Sequence, residues 1–154
     1  MTATVQIHEM TTTDTGVDKT SGTVRFKSAN NTNVDTNDRL QIPSGADIFS
    51  YTKQLCFYFS VGPAVDVQNL RAYTDGANGF GTGIVVDYDV SASYTTATDT
   101  DIAGTDLFTA TVDASIDMDA IDTGPHTGTG YKGDYLRLQM GVSNTASPGS
   151  LSAE

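Results

Sequence analysis

Closely spaced aspartates are the residues of this chain best suited to chemistry. The carboxylates of Asp113, Asp117 and Asp119 could together bind calcium, which prefers oxygen ligands. Their spacing does not match an EF-hand loop, which needs a fixed ligand order, a glycine and a closing glutamate. On a strand, Asp117 and Asp119 would share one face about 7 Å apart by rise, and they could lie there solvated without a metal. We therefore expect no cofactor, and calcium is the alternative.

Catalytic groupings are not recognisable in this sequence. His8 lies in the N-terminal segment and His126 in a predicted turn, so they suggest no metal pair, and no G-x-S-x-G motif is present. Cys56 lies inside the aromatic run 55–59, where an inert apolar thiol is expected. The glycine-rich segment 75–83 lacks the lysine of a phosphate-binding loop and precedes a strand, so we predict a turn. These features predict a protein that is not an enzyme.

Composition and charge restrict the partners. The chain has 154 residues, 19 acidic against 8 basic side chains, and a formal net charge of −11. This charge argues against nucleic acid, whose binding needs clustered lysine and arginine, and against anionic membranes. No apolar stretch approaches the roughly 20 residues that span a bilayer, and the N-terminus does not read as a secretion signal. We expect neither nucleic acid nor membrane as a partner.

Alternating apolar residues predict an all-β fold. Residues 50–61 form the strongest predicted strand, with apolar side chains on both faces as in the centre of a sandwich. In residues 135–142, Leu136, Leu138, Met140 and Val142 should face inward. The other predicted strands lie in residues 23–27, 67–74, 84–90 and 107–118. Seven or eight short strands predict a single antiparallel β-sandwich or jelly-roll-like domain.

The ends of the chain differ from its middle. Residues 1–22 are predicted to be a short N-terminal arm and a polar loop, residues 23–143 the β-sandwich domain, and residues 144–154 a flexible C-terminal tail. Tyr58 and Tyr135 fall on the outward parity of their strands. They could stack on sugars or contact a partner, although packing at a sheet rim is the simpler expectation.

Several strings of the sequence are similar to those of a known group of proteins. They are VQIHE at 5–9, GTVRFKSAN at 22–30, NVDTN at 33–37, NLRAYTDGANGFGTG at 69–83 and GDYLRLQMGVSNTASPG at 133–149. In these strings the chain resembles small β-rich virion proteins of tailed bacteriophages, of the kind encoded with head and neck genes. The resemblance covers most of the chain, and its strings are structural and not catalytic.

The resemblance implies a capsid decoration or cement protein of the virion, synthesised in the host cytoplasm. Its partner would be the major capsid protein, and it would sit on the shell as a dimer or trimer. The arm could add a strand to a capsid subunit, which makes Val5, Gln6, Ile7 and His8 the capsid-contact candidates. The alternatives are a neck or tail accessory protein and, from another class, a carbohydrate-binding module that uses exposed tyrosines, with or without calcium.

Overall fold

The computed structural model describes residues 3–147, which contain nine strands and two 3-10 helices joined by turns and loops. That part contains no α-helix, and no helix in it is long and apolar enough to cross a membrane. The 3-10 helices are Leu107–Thr109 and Val112–Ala114. The strands are β1 (Thr4–Thr12), β2 (Thr15–Asp18), β3 (Ile48–Phe49), β4 (Lys53–Val61), β5 (Arg71–Ala72), β6 (Ile84–Ser91), β7 (Thr105–Asp106), β8 (Ile116–Asp117) and β9 (Gly130–Val142).

The main sheet has seven strands and is antiparallel throughout its pairings. Its order is β2-β1-β4-β9-β6-β7, and β3 pairs with the C-terminal end of β9. The long strand β9 lies at the centre, where it pairs with β4 on one side and β6 on the other. Strands β5 and β8 form a separate two-stranded sheet. The prediction of an all-β single domain is confirmed.

The inner face of the main sheet carries the hydrophobic core. The predicted inward residues of β9, Leu136, Leu138, Met140 and Val142, are all buried. The β5–β8 sheet, the 3-10 helices and their loops cover this face, so the second layer is much smaller than the first. The buried residues that this covering layer contributes are Leu70, Ala110, Ile116 and Met118. Each fully buried large apolar side chain contributes roughly 1.5–3 kcal/mol.

The outer face of the sheet is also covered, by the segment that follows β6. Gln54 accepts a hydrogen bond from Thr95 N–H at 2.9 Å, and Gln139 accepts one from Ile102 N–H at 3.0 Å. Gln139 Nε2 also donates to the Thr100 carbonyl at 3.0 Å. These hydrogen bonds hold residues 91–104 against the outer face of the sheet. The segment thereby buries Gln54 and Gln139, which strand alternation alone would place in solvent.

A bulge in β9 ties the turn after β8 to the sheet. Gly133 has a φ of +73°, and a Cβ there would lie 2.6 Å from the Met118 carbonyl oxygen, so glycine is required. Next to it, the fully buried Asp134 accepts hydrogen bonds from Ile121 N–H at 2.9 Å and Asp122 N–H at 2.7 Å. The carboxylate replaces the backbone partners that these amides lack in the turn.

Several sequence predictions about the fold need correction. Residues 23–27 are not a strand: Phe26 packs on the core as expected, but Lys27, predicted to face solvent, is buried. Within residues 107–118 half of the residues form the two 3-10 helices and only Ile116–Asp117 is a strand, in part because Asp106 caps the first helix by accepting from Phe108 N–H at 2.9 Å. Of the predicted C-terminal tail, residues 148–154 lie outside the described residues, while Ala146 is buried against the core.

Candidate functional site

The N-terminal segment, predicted to be an arm, belongs to the chain's own sheet. From Val5 to Glu9 it pairs with β4, and from His8 to Thr12 it pairs with β2. At His8 and Glu9 the two pairings overlap, so β1 is flanked by a strand on both sides there. Residues 4–12 are therefore not a free arm. To add a whole strand to a partner, β1 would first have to leave this sheet.

Beyond the end of β2, one edge of β1 lacks a neighbouring strand in the described part of the chain. The last contacts there are Lys19 N–H to the Ile7 carbonyl at 2.8 Å and Ile7 N–H to Thr20 Oγ1 at 3.0 Å. Residues 4–6 then run on with only β4 beside them. An unpaired strand edge of this kind offers N–H and C=O groups to another chain.

Beside this edge lies a group of exposed aliphatic side chains. Val5, Ile7 and Val17, which we call the apolar strip, are 42%, 39% and 41% exposed. The register places them on the same face as Leu55 and Phe57, because directly paired residues share a face. An apolar groove of about 70 Å³ continues from the strip towards the core. It is lined by Ile7, Leu55, Cys56, Phe57, Ala72, Met118 and Leu136.

The other two capsid-contact candidates, Gln6 and His8, lie on the opposite face of β1. Gln6 Nε2 donates to Asp18 Oδ2 at 2.6 Å. His8 is buried, stacks on Tyr58 with ring centroids 4.5 Å apart, and places Nδ1 3.2 Å from the Tyr131 hydroxyl. The alternation of β1 places His8 on the outer face of the sheet together with Met10, which packs there in a cluster with Cys56 and Tyr135. In the fold as described, His8 is a packing residue.

Of the two tyrosines proposed for sugar stacking, one is buried and the other is partly covered. Tyr135 is buried and donates its hydroxyl to the Thr13 carbonyl at 3.1 Å, while Tyr58 is half-buried against His8. Burial also raises the pKa of the Cys56 thiol to about 11. A thiolate at neutral pH is therefore disfavoured, in line with the inert role expected for this cysteine.

The calcium candidates are dispersed. Asp113 is exposed in the second 3-10 helix, and Asp117 pairs with Arg71 at 3.1 Å. Asp119 accepts from Leu70 N–H at 3.0 Å and lies 2.9 Å from His126 Nε2. Within residues 3–147 no three histidine, cysteine, aspartate or glutamate side chains are grouped to hold a metal ion.

A buried charge cluster was missed by the sequence analysis. Glu9 is only 2% exposed, and its carboxylate lies 2.9 Å from Lys53 Nζ and 3.3 Å from Lys19 Nζ. Both lysines also donate to backbone carbonyls of the loop at residues 30–33: Lys53 to that of Asn31 and Lys19 to that of Thr32. The sequence did contain a sign of this cluster. Lys53 alternates with Leu55, Phe57 and Phe59 along the predicted strand, so its side chain had to lie on the same inner face.

A polar cleft of about 300 Å³ opens beside this cluster. It lies between the loop at residues 30–33 and the loop at 94–97, over the C-terminal end of β1 and the start of β4. Glu9 lines its floor together with Lys53, and Tyr94 lines a wall. The molecule thus has two candidate surfaces: the apolar strip, which runs from Val5 to Val17 opposite Glu9, and the polar cleft, which begins at Glu9.

Comparison with known proteins assigns no role to either surface. No protein-family model, curated protein or solved structure matches the chain.

Proposed function

We propose that this protein is a structural virion protein of a tailed bacteriophage, which binds the assembled capsid and stabilises it as a decoration or cement protein. The observation that supports the proposal best is the apolar strip beside the open edge of β1. The proposed occupant is an extended segment of the major capsid protein. It would pack on Val5 and Ile7 and pair with the free edge at residues 4–6.

The energy available at the strip suits a contact repeated on a lattice. Burying the exposed part of each of the three aliphatic side chains would contribute about 1 kcal/mol, or about 3 kcal/mol together. This corresponds to roughly a hundredfold in affinity. A single contact of this size is weak, but a dimer or trimer that bridges neighbouring capsid subunits would multiply it through effective concentration.

A double substitution, Val5→Asp with Ile7→Asp, tests the proposed contact. Point changes are preferable to removal of residues 1–12, which would take an entire strand and Glu9 out of the fold. Particles assembled without the protein should bind the double variant far less than the unchanged protein, and they should rupture at a lower temperature. The matched control is Val65→Asp, which alters a side chain that is 75% exposed and lies outside the strip.

Full occupancy of the double variant on the shell, with its circular dichroism unchanged, would contradict the proposed contact. Unchanged rupture temperature of particles that lack the protein would contradict the cement role itself. Labelling the protein on purified particles separates the alternative position, because a neck or tail accessory protein would give signal at a single vertex.

A further inference from the structure

The ammonium group of Lys27 is buried against a side-chain amide of the loop that follows it. The Lys27 side chain is only 3% exposed, and its Nζ lies 3.2 Å from Asn31 Oδ1. A carbonyl bond is about 1.2 Å long, so Nζ lies within about 4.4 Å of the amide carbon Cγ of Asn31. Rotation of either flexible side chain brings these atoms to the roughly 3–3.5 Å at which reacting groups meet. The other two buried lysines, Lys19 and Lys53, donate to backbone carbonyls of this loop instead.

A carboxylate stands at the same nitrogen. Asp35 Oδ1 lies 2.6 Å from Lys27 Nζ, and the hydrogen bond from Lys27 lowers the pKa of Asp35. Asp35 is therefore ionised at neutral pH, which is the form that can accept a proton. A lysine attacks a carbonyl carbon only after it has lost a proton, because the ammonium ion has no free electron pair. Asp35 is thus placed as the general base for Lys27.

The amide of Asn31 is held from both of its ends. Its Oδ1 also accepts a hydrogen bond from Asn33 N–H at 3.1 Å, and its Nδ2 donates to Asp38 Oδ2 at 3.2 Å. A donor fixed at a carbonyl oxygen stabilises the negative charge that develops there when the carbon is attacked. The loop therefore places a nucleophile, a base and a polarised amide together.

We propose that Lys27 and Asn31 react with each other to form an isopeptide cross-link, an amide bond between their side chains. Asp35 takes a proton from Nζ, the neutral amine attacks Cγ of Asn31, and the bond between Cγ and Nδ2 breaks. The two protons that Nζ loses pass through Asp35 to Nδ2, which leaves as ammonium, and Asp35 ends as the carboxylate it was. The reaction needs no oxidant, reductant or other reactant, and the fold drives it by holding the two groups together.

The cross-link would fix the loop that covers the buried charges. The backbone carbonyls of Asn31 and Thr32 accept from Lys53 and Lys19, the two lysines that pair with Glu9. A covalent bond at Asn31 would keep these carbonyls over the charge cluster. The reacting side chains are not part of the apolar strip, so the inference stands or falls separately from the capsid proposal.

Mass spectrometry of the purified protein, unfolded and digested with trypsin, tests the inference. Trypsin cleaves after free lysine and arginine, so a cross-linked Lys27 should remain uncut within the peptide of residues 26–39. This peptide should be lighter than its sequence by one ammonia molecule. Asn31→Ala removes the amide and should restore cleavage after Lys27. Asp35→Asn, at a side chain that is 42% exposed, removes the base and should leave most of the chain without the cross-link. The matched control is Asn37→Ala, an exposed asparagine of the same loop, which should form the cross-link like the unchanged protein.

Several results would overturn the inference. Complete cleavage after Lys27, with every peptide at its full mass, would show that no cross-link forms. Loss of ammonia from a chain that is still cut after Lys27 would identify a cyclised asparagine and not a cross-link. An uncut peptide lighter by one water molecule would show that Lys27 reacts with a carboxylate and not with Asn31. Equal cross-linking of Asp35→Asn and Asn37→Ala would refute the assignment of Asp35 as the base.

Discussion

Replacing Glu9 by glutamine should destabilise the protein strongly, because its carboxylate pairs with two lysines that are themselves buried. The side chains of Lys53 and Lys19 are 3% and 6% exposed, so neither ammonium group can turn to water when its partner becomes neutral. Breaking a buried ion pair by removing one partner costs about 3–5 kcal/mol. This is a large share of the roughly 5–15 kcal/mol by which domains are stable.

Urea unfolding, followed by circular dichroism, measures the effect as a lower midpoint with an unchanged slope. A triple variant, Glu9→Leu with Lys19→Met and Lys53→Met, sharpens the test by removing the charges together. It should lose less stability than Glu9→Gln alone, because no unpaired charge is left in the interior. The matched control is Asp66→Asn, an exposed carboxylate that should leave the midpoint unchanged.

The reasoning would be refuted if Glu9→Gln cost less than about 1 kcal/mol, which is the range of an exposed ion pair. A triple variant less stable than Glu9→Gln would refute the unpaired-charge explanation in particular. In that case the hydrogen bonds from the lysines to the loop carbonyls, and not the carboxylate, would carry the stabilisation.

Two further predictions concern the bulge and the cysteine. Gly133→Ala should lower the free energy of unfolding much more than Gly81→Ala does. Both glycines have positive φ, but only a Cβ at position 133 meets backbone, 2.6 Å from the Met118 carbonyl oxygen. Equal shifts in the urea midpoints of the two variants would contradict this close approach. Cys56 should react with a thiol reagent much more slowly in the native protein than in urea, because burial raises its pKa to about 11. A native rate equal to that of a free thiol would show that Cys56 is accessible.

Strands whose pattern reflects one buried face were predictable from the sequence. The prediction of the inward residues of β9 is confirmed, because alternation against a core is a signal contained in the local sequence. The burial of Gln139 and Tyr135 on the other face was not predictable, because it depends on residues 91–104 crossing the sheet from a distant part of the chain. Lys27 was misplaced for a similar reason, since its ammonium group is satisfied by Asp35 at 2.6 Å in a loop without periodicity.

The candidate site was predictable only in part. Val5 and Ile7 were named from the sequence and are exposed, but Val17 joins them through the β1–β2 pairing, which a predicted polar loop could not suggest. His8 was named as a contact because it lies in the same segment, yet strand alternation places it on the opposite face, where Tyr58 and Tyr131 bury it. Glu9 was overlooked because glutamate is normally an exposed residue, and the lysines that bury it come from other segments.

Strand β1 connects the two candidate surfaces, and its geometry decides whether they can act together. Val5, Ile7 and Glu9 share one face, so the apolar strip and the cleft floor lie on the same side of the sheet. Glu9 lies four residue steps along the strand from Val5, which is about 14 Å. The loop at residues 30–33 covers the Glu9 end, whereas the strip is left open. A capsid segment that packs on Val5 and Ile7 alone would therefore leave the cleft unobstructed, whereas a segment that also covers Val17 would lie directly opposite Glu9.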